Sequence, residues 1–139
     1  MKAISLHQPW ASMIARGEKT IETRWWRTTH RGDLLICSTK KPSYSSLPCG
    51  FAIAIVDVYD CIPYESKHDL ESGFDELKAR MVLELQKECD RQVWSTSRVW
   101  SWMLRDIRRI TTVFAVHGCQ GFFEVETSFP IAFTRVSAL

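Results

Sequence analysis

Between Gly17 and Arg31 the chain reads GEKTIETRWWRTTHR, which gathers Lys19, Glu22, Arg24, Arg27, His30 and Arg31 around two adjacent tryptophans, Trp25 and Trp26. An ordinary core strand does not carry so many ionisable side chains. Two kinds of chemistry suit the mixture. Indole faces stack on nucleobases, at ~1–3 kcal/mol per base, while cations beside them neutralise phosphates. Alternatively, a lysine, a carboxylate, an arginine and a histidine offer groups for general acid and base chemistry. Lys19, Glu22, Arg24 and His30 are therefore the candidates for catalysis. Trp25, Trp26, Arg27, Arg31, Lys40, Lys41 and Trp100 are the candidates for holding nucleic acid, through stacking and through salt-dependent phosphate contacts.

The elements that position these residues follow from local pattern. Thr20 to Arg27 has strand composition. A two-residue period puts Glu22, Arg24 and Trp26 on one face and Ile21, Thr23 and Trp25 on the other. If the first face points inward, Glu22 and Arg24 form a partly buried pair that must satisfy each other. If it points into a cleft, they are ligand-binding groups; the sequence leaves both open. Upstream, Pro9 suits the start of a short helix over 9–16 and Gly17 suits the residue past its end. Trp10, Met13 and Ile14 give that helix one apolar face. Lys19 follows the glycine, so its stem is expected to reach the mouth of the fold.

Further strands are predicted at Lys2–Leu6, Asp33–Ser38, Phe51–Ile62, Arg98–Ile110 and Phe122–Glu126. FAIAIV is continuously apolar and then alternates, as in a long strand buried at one end. Arg105, Arg108 and Arg109 form a second basic cluster. Gly118 and Gly121 flank Cys119-Gln120, a signal for a tight turn or a close backbone approach. The acidic stretch Ser66–Asp90 carries Phe74, Leu77, Met81, Val82 and Leu85 at helical spacing, so a helix over 75–89 is expected to lie outside the sheet, packed on it or turned to a protein partner.

The run from Ile4 to Pro42 resembles the ASCH domain, a small β-barrel module related to PUA domains. The matching pieces are His7-Gln8-Pro9-Trp10-Ala11, Gly17-Glu18-Lys19, Glu22-Thr23-Arg24, Trp26, and His30-Arg31-Gly32 followed by DLLI. Val99-Trp100-Ser101-Trp102 and the GCQGFF stretch at 118–123 match further downstream. The resemblance implies an α+β fold: a PUA-like mixed β-barrel of about five or six strands. It places the N-terminal helix at one end and the inserted helix outside, in one domain over 1–139. It also implies a cleft beside the first helix, where members of the wider superfamily bind RNA or a modified base. Some similar bacterial proteins are acetylcytidine amidohydrolases that use a lysine after the helix-ending glycine, a threonine three residues on and a distant glutamate. Others are reported to cleave RNA. Lys19 matches the lysine, but Glu22 stands where the threonine should be. A neighbouring carboxylate stabilises an ammonium, whereas a catalytic base must release its proton. Lys19 with Glu22 thus reads as a charge pair or a phosphate hook. RNA or another nucleic acid is the favoured partner. A hydrolase acting on RNA or on a modified nucleoside comes second, and a protein-interaction module third.

Composition narrows the remainder. At 139 residues the chain suits one domain with a core of its own. Its net charge of +2 is unevenly spread. Residues 1–48 hold eight lysines and arginines against three acids, and residues 49–92 hold five against ten. The basic first third suits a polyanion. The five cysteines lack a CxxC pair, so neither a disulfide framework nor a zinc site is expected, and Cys119 is expected to be buried. Phosphate-loop, dinucleotide, zinc-hydrolase and calcium-loop motifs are absent, and no cofactor is expected. No apolar run is long enough to span a membrane, and a cytoplasmic location is expected.

Overall fold

The computed structural model describes residues 1–24, 26–41, 46–63 and 100–137. Trp25 and the helix expected over 75–89 lie outside the described residues. Strand β1 (Lys2–Leu6) leads into helix α1 (Trp10–Ala15), then β2 (Ile21–Arg24), β3 (Gly32–Ser38), β4 (Phe51–Pro63), β5 (Trp100–Ala115), β6 (Phe122–Glu124) and β7 (Phe133–Arg135). Together they form one mixed sheet in the order β2-β5-β4-β3-β1-β6, with β7 paired to β5. Among the described strands only the β1–β3 pairing is parallel; the connection between them carries α1 and β2. The expected α+β, PUA-like architecture is present, as a curled half-barrel with the small helix packed on it. The strand count rises above five or six because two three-residue strands, β6 and β7, are added near the C-terminus.

Burial explains the apolar runs. One core cluster joins Ile4, Leu34, Ile36, Val56, Val58, Trp102 and Leu104 to Ala11 and Ile14 of α1. A second, on the other face, joins Ala3, Leu35, Cys37, Ala52, Ile55 and Ile110, with Phe114, Phe123 and Ile131 packed against it. The first half of β4 and the stretch of β3 from Leu34 onward are therefore covered on both faces, so they read as unbroken hydrophobic strings rather than alternating ones. Fully buried Trp102 is the largest side chain in the interior.

Strand β5 breaks its alternation at Asp106, whose φ of 47° is left-handed. The pairing with β4 slips there, between Ile55 and Asp57. An extra residue inserted in this way re-aims the strand, so Leu104 and Ile107 both enter the first cluster. The Asp106 carboxylate sits 3.0 Å from Arg135 Nε and 3.4 Å from Arg108 Nε, tying β7 to the bulge.

Among the described residues the half-barrel does not close by hydrogen bonds. β2 and β6 end the strand order without pairing to each other. Aromatic side chains bridge the gap instead. The Trp26 ring lies 4.7 Å from Trp102 and 5.1 Å from Phe122, nearly perpendicular to both. Such edge-to-face contacts add ~0.5–1.5 kcal/mol each beyond area burial.

Candidate functional site

The site begins at the end of α1. Gly17, with φ 77°, takes the left-handed position past the helix. Its N–H donates to the Ile14 carbonyl at 3.0 Å, and the N–H of Glu18 donates to Met13 at 2.9 Å, so two orphan carbonyls are satisfied by a Schellman turn. The amide of Lys19 donates to the same Met13 oxygen at 3.2 Å. That turn sends the lysine stem inward. Lys19 is 2% exposed, and its Nζ sits 2.7 Å from Glu22 Oε2 and 5.0 Å from the Trp10 ring centre. The expectation that Lys19 reaches the mouth is corrected: the helix cap fixes its backbone under α1, and a buried carboxylate takes its charge.

Glu22 serves a second cation. Its Oε1 is 3.4 Å from Arg24 Nε, a contact without hydrogen-bond geometry. Arg24 Nη2 donates to the Ser5 carbonyl at 3.4 Å. Two cations thus share one carboxylate, which leaves the line Lys19–Glu22–Arg24 with net positive charge at its Arg24 end. On this face Glu22 is buried, paired with Lys19, while Arg24 borders a cavity.

That cavity, about 590 Å³, lies along the open seam. Ser5 and His7 line it from β1, Arg24 and Trp26 from β2 and its sequel, Ser38 to Lys40 from the end of β3, and Val116 to Gly121 from the approach to β6. His7 Nδ1 and Thr39 Oγ1 are hydrogen-bonded at 2.9 Å across its rim. At Gly118 an added Cβ would stand 2.4 Å from Ser5 Oγ, so only glycine lets this backbone lie against β1. The cavity is walled by one indole, carries two cations and is otherwise lined by hydroxyls, imidazoles, an amide, the Cys119 thiol, Val116 and backbone. Such a lining suits a planar polar heterocycle carrying a phosphate.

Of the residues singled out in the sequence, the structure brings Arg24, Trp26 and Lys40 into this lining and sets Lys19 and Glu22 behind it. The others are placed elsewhere. Arg27 is exposed and lies 5.7 Å from the Trp100 ring centre. Arg31 donates to the Thr28 and His30 carbonyls and stands 3.8 Å from Asp60. Lys41 is exposed outside the lining. His30 Nε2 donates to the Asp33 carbonyl at 2.9 Å, and its ring meets Phe122 at 5.8 Å. His30 therefore does not join Lys19, Glu22 and Arg24, because the turn backbone engages it. Trp25 is outside the described residues.

Cys119 is exposed on the cavity wall, contrary to its expected burial. The turn between Gly118 and Gly121 is exposed along its whole length. Cys37 behaves as a buried thiol should, with burial pushing its pKa up to about 12. Among the described residues no three His, Cys, Asp or Glu side chains gather closely enough to hold a metal ion, and no helix is long and apolar enough to cross a membrane. The sequence reading missed Ser5, Ser38 and Thr39 as site residues, since small hydroxyls at strand ends carry no pattern. The Gly118–Gly121 pair was the one local signal for its wall.

The comparisons with known proteins agree with this architecture. The ASCH domain family profile matches residues 4–126. Activating signal cointegrator 1 from Homo sapiens is 37% identical over 81 residues, and that from Mus musculus 36%. Each alignment covers 42% of this chain and only 14% of the relative. The crystal structure of ASCH from Zymomonas mobilis superposes with a TM-score of 0.61 at 15% identity, covering 90% of this chain and 87% of that one. A single-substitution variant of that protein gives 0.57 at 16% identity, covering 90% and 89%. At those identities the solved structures show the fold alone. With the family profile spanning most of its length and its sheet curled in the same way, this chain belongs to the ASCH domain family.

Proposed function

We propose that this protein binds single-stranded nucleic acid, RNA in preference to DNA, by taking one base into the seam cavity. The reading is carried by one observation: Trp26 lines the same 590 Å³ space as Arg24 and Lys40. That volume falls in the ~300–1,000 Å³ range of small-molecule clefts, enough for a nucleobase and its sugar. The indole offers a stacking face. Arg24 and Lys40 offer phosphate contacts, and with Glu22 shared between Lys19 and Arg24 the local field favours an anion. Ser5, Ser38, Thr39 and Gln120 offer donors and acceptors for a base edge and for the 2′-hydroxyl, the group that distinguishes RNA from DNA.

The competing hydrolase reading draws less support from the geometry. Lys19 faces Glu22 and the Trp10 ring rather than the cavity. One set of measurements separates the two. Labelled single-stranded RNA and DNA of one sequence are titrated against wild type, Trp26→Ala and Lys40→Glu over a salt series, and RNA cleavage and acetylcytidine hydrolysis are assayed alongside. Tighter binding of RNA is expected, lost by ~1–3 kcal/mol in Trp26→Ala and with a shallower salt slope in Lys40→Glu. Absence of binding at low salt would overturn the proposal. Wild-type turnover abolished equally by Lys19→Ala and Lys19→Arg, with binding intact, would replace it with catalysis.

A further inference from the structure

We infer that a second groove, walled on one side by α1, holds the phosphodiester backbone of the strand whose base sits in the seam cavity, so that the ligand is an oligonucleotide rather than a free nucleoside. This inference rests on the nucleic-acid-binding reading above. The groove has a volume of about 650 Å³, and Ser12 and Arg16 of α1, Ser46, and Arg109, Thr111 and Thr134 supply its polar lining. Among the described residues no carboxylate lines it. Hydroxyls and guanidiniums without an acid among them complement a polyanion.

The arginines of β5 are not equivalent. Arg105 is bound to Asp57 at 2.7 Å, and Arg108 grips both Asp33 oxygens at 2.6 and 3.1 Å. Arg109 is exposed and has no ion pair or side-chain hydrogen bond to any described residue. Among the described residues it is the cation of this strand left for an external anion. Arg16, at the other wall, is already paired with Glu18 at 3.0 Å, so Arg109 provides the uncompensated charge.

The groove and the seam cavity share a partition. His7 and Thr39 border the cavity, while Ser12 and the 46–48 segment border the groove. Gln8, 2% exposed, fastens these pieces together: its amide donates to the Pro48 carbonyl at 2.7 Å and accepts from the Ser12 N–H at 3.0 Å. A strand engaging both sites must pass over this fixed partition, and a single nucleoside is too small to do so.

The test uses a dinucleotide, which fits the cavity alone, and a single-stranded oligomer of about ten nucleotides, within the span of small nucleic-acid-binding domains. Both are titrated over a salt series against wild type, Arg109→Ala and Arg109→Lys. The oligomer is expected to bind wild type more tightly than the dinucleotide does. Arg109→Ala should lower the oligomer's salt slope by about 0.7, the loss of one single-strand phosphate contact, and leave dinucleotide affinity unchanged. Arg109→Lys should restore the slope, because charge is what the groove supplies. An unchanged slope in Arg109→Ala, equal wild-type affinity for both lengths, or displacement of the oligomer by poly-glutamate at equal charge would each overturn the inference. In all three cases dinucleotide binding would still support the cavity reading. Failure of wild type to bind either probe would remove both.

Discussion

Glu22 is the residue on which the local electrostatics turn. It is 8% exposed, touches Lys19 at 2.7 Å and stands 3.4 Å from Arg24. Removing one member of a buried pair strands the other charge, at a cost of ~3–5 kcal/mol, whereas replacing both by apolar groups of similar size is often neutral. Glu22→Leu alone, which strands the buried Lys19 ammonium, is therefore expected to lower the urea midpoint sharply, and Glu22→Leu combined with Lys19→Met to recover most of the loss. A single variant that unfolds with wild type would show that the pair is not buried in solution. The pairing itself was legible in the sequence, since residues three apart across a helix-to-strand turn and two apart on a strand meet on one side. Its depth was not, because burial of Lys19 comes from the Schellman turn and the Trp10 ring, which depend on how α1 docks.

Elements set the walls that single residues cannot. Gly118 brings the approach to β6 against β1, where a new Cβ would meet Ser5 Oγ at 2.4 Å but Ser5 Cβ at an ordinary 3.4 Å. Gly118→Ala is expected to weaken oligonucleotide binding, and adding Ser5→Ala to restore it, as read by titration; failure of the second change to rescue would place the close approach elsewhere. The strand-to-strand tie between β3 and β5 predicts a pH effect. Hydrogen bonds from the Arg108 guanidinium hold the Asp33 carboxyl below its ordinary 3.8, outweighing the opposing effect of burial. A carboxyl with a depressed folded-state pKa adds stability above its ordinary value and loses it as pH falls through the folded value. The contribution is small because Asp33 is half-exposed. Asp33→Asn should flatten the decline of the melting temperature below about pH 4, and an unaltered acid limb would contradict this. Most strands were legible from composition and alternation. The β5 bulge and β7 were not, since Asp106 breaks the alternation and β7 is three exposed residues. The cavity was legible only in fragments, because strand ends far apart in sequence meet there through the parallel β1–β3 crossover.

At the scale of the whole molecule, the basic first third supplies the seam, and α1 stands between the cavity and the groove. A curled sheet that stops short of closing also has a consequence for how copies of the chain behave toward one another. Among the described residues its two terminal strands each keep one row of backbone donors and acceptors unpaired within the sheet, a template on which another chain could add a strand. Both are short, four residues in β2 and three in β6, and β2 carries Glu22 and Arg24 on the face turned toward the interior. A strand recruited beside β2 would have to tolerate those charges, a recognised defence against edge-to-edge growth. The apolar pair Lys19→Met and Glu22→Leu, joined by Arg24→Leu, is therefore expected to fold yet self-associate. Light scattering should grow with concentration while wild type stays monodisperse, and equal scattering from both would show that the charges guard nothing. By this argument the charges that make the surface receptive to an anion also guard the edge of the sheet against another strand.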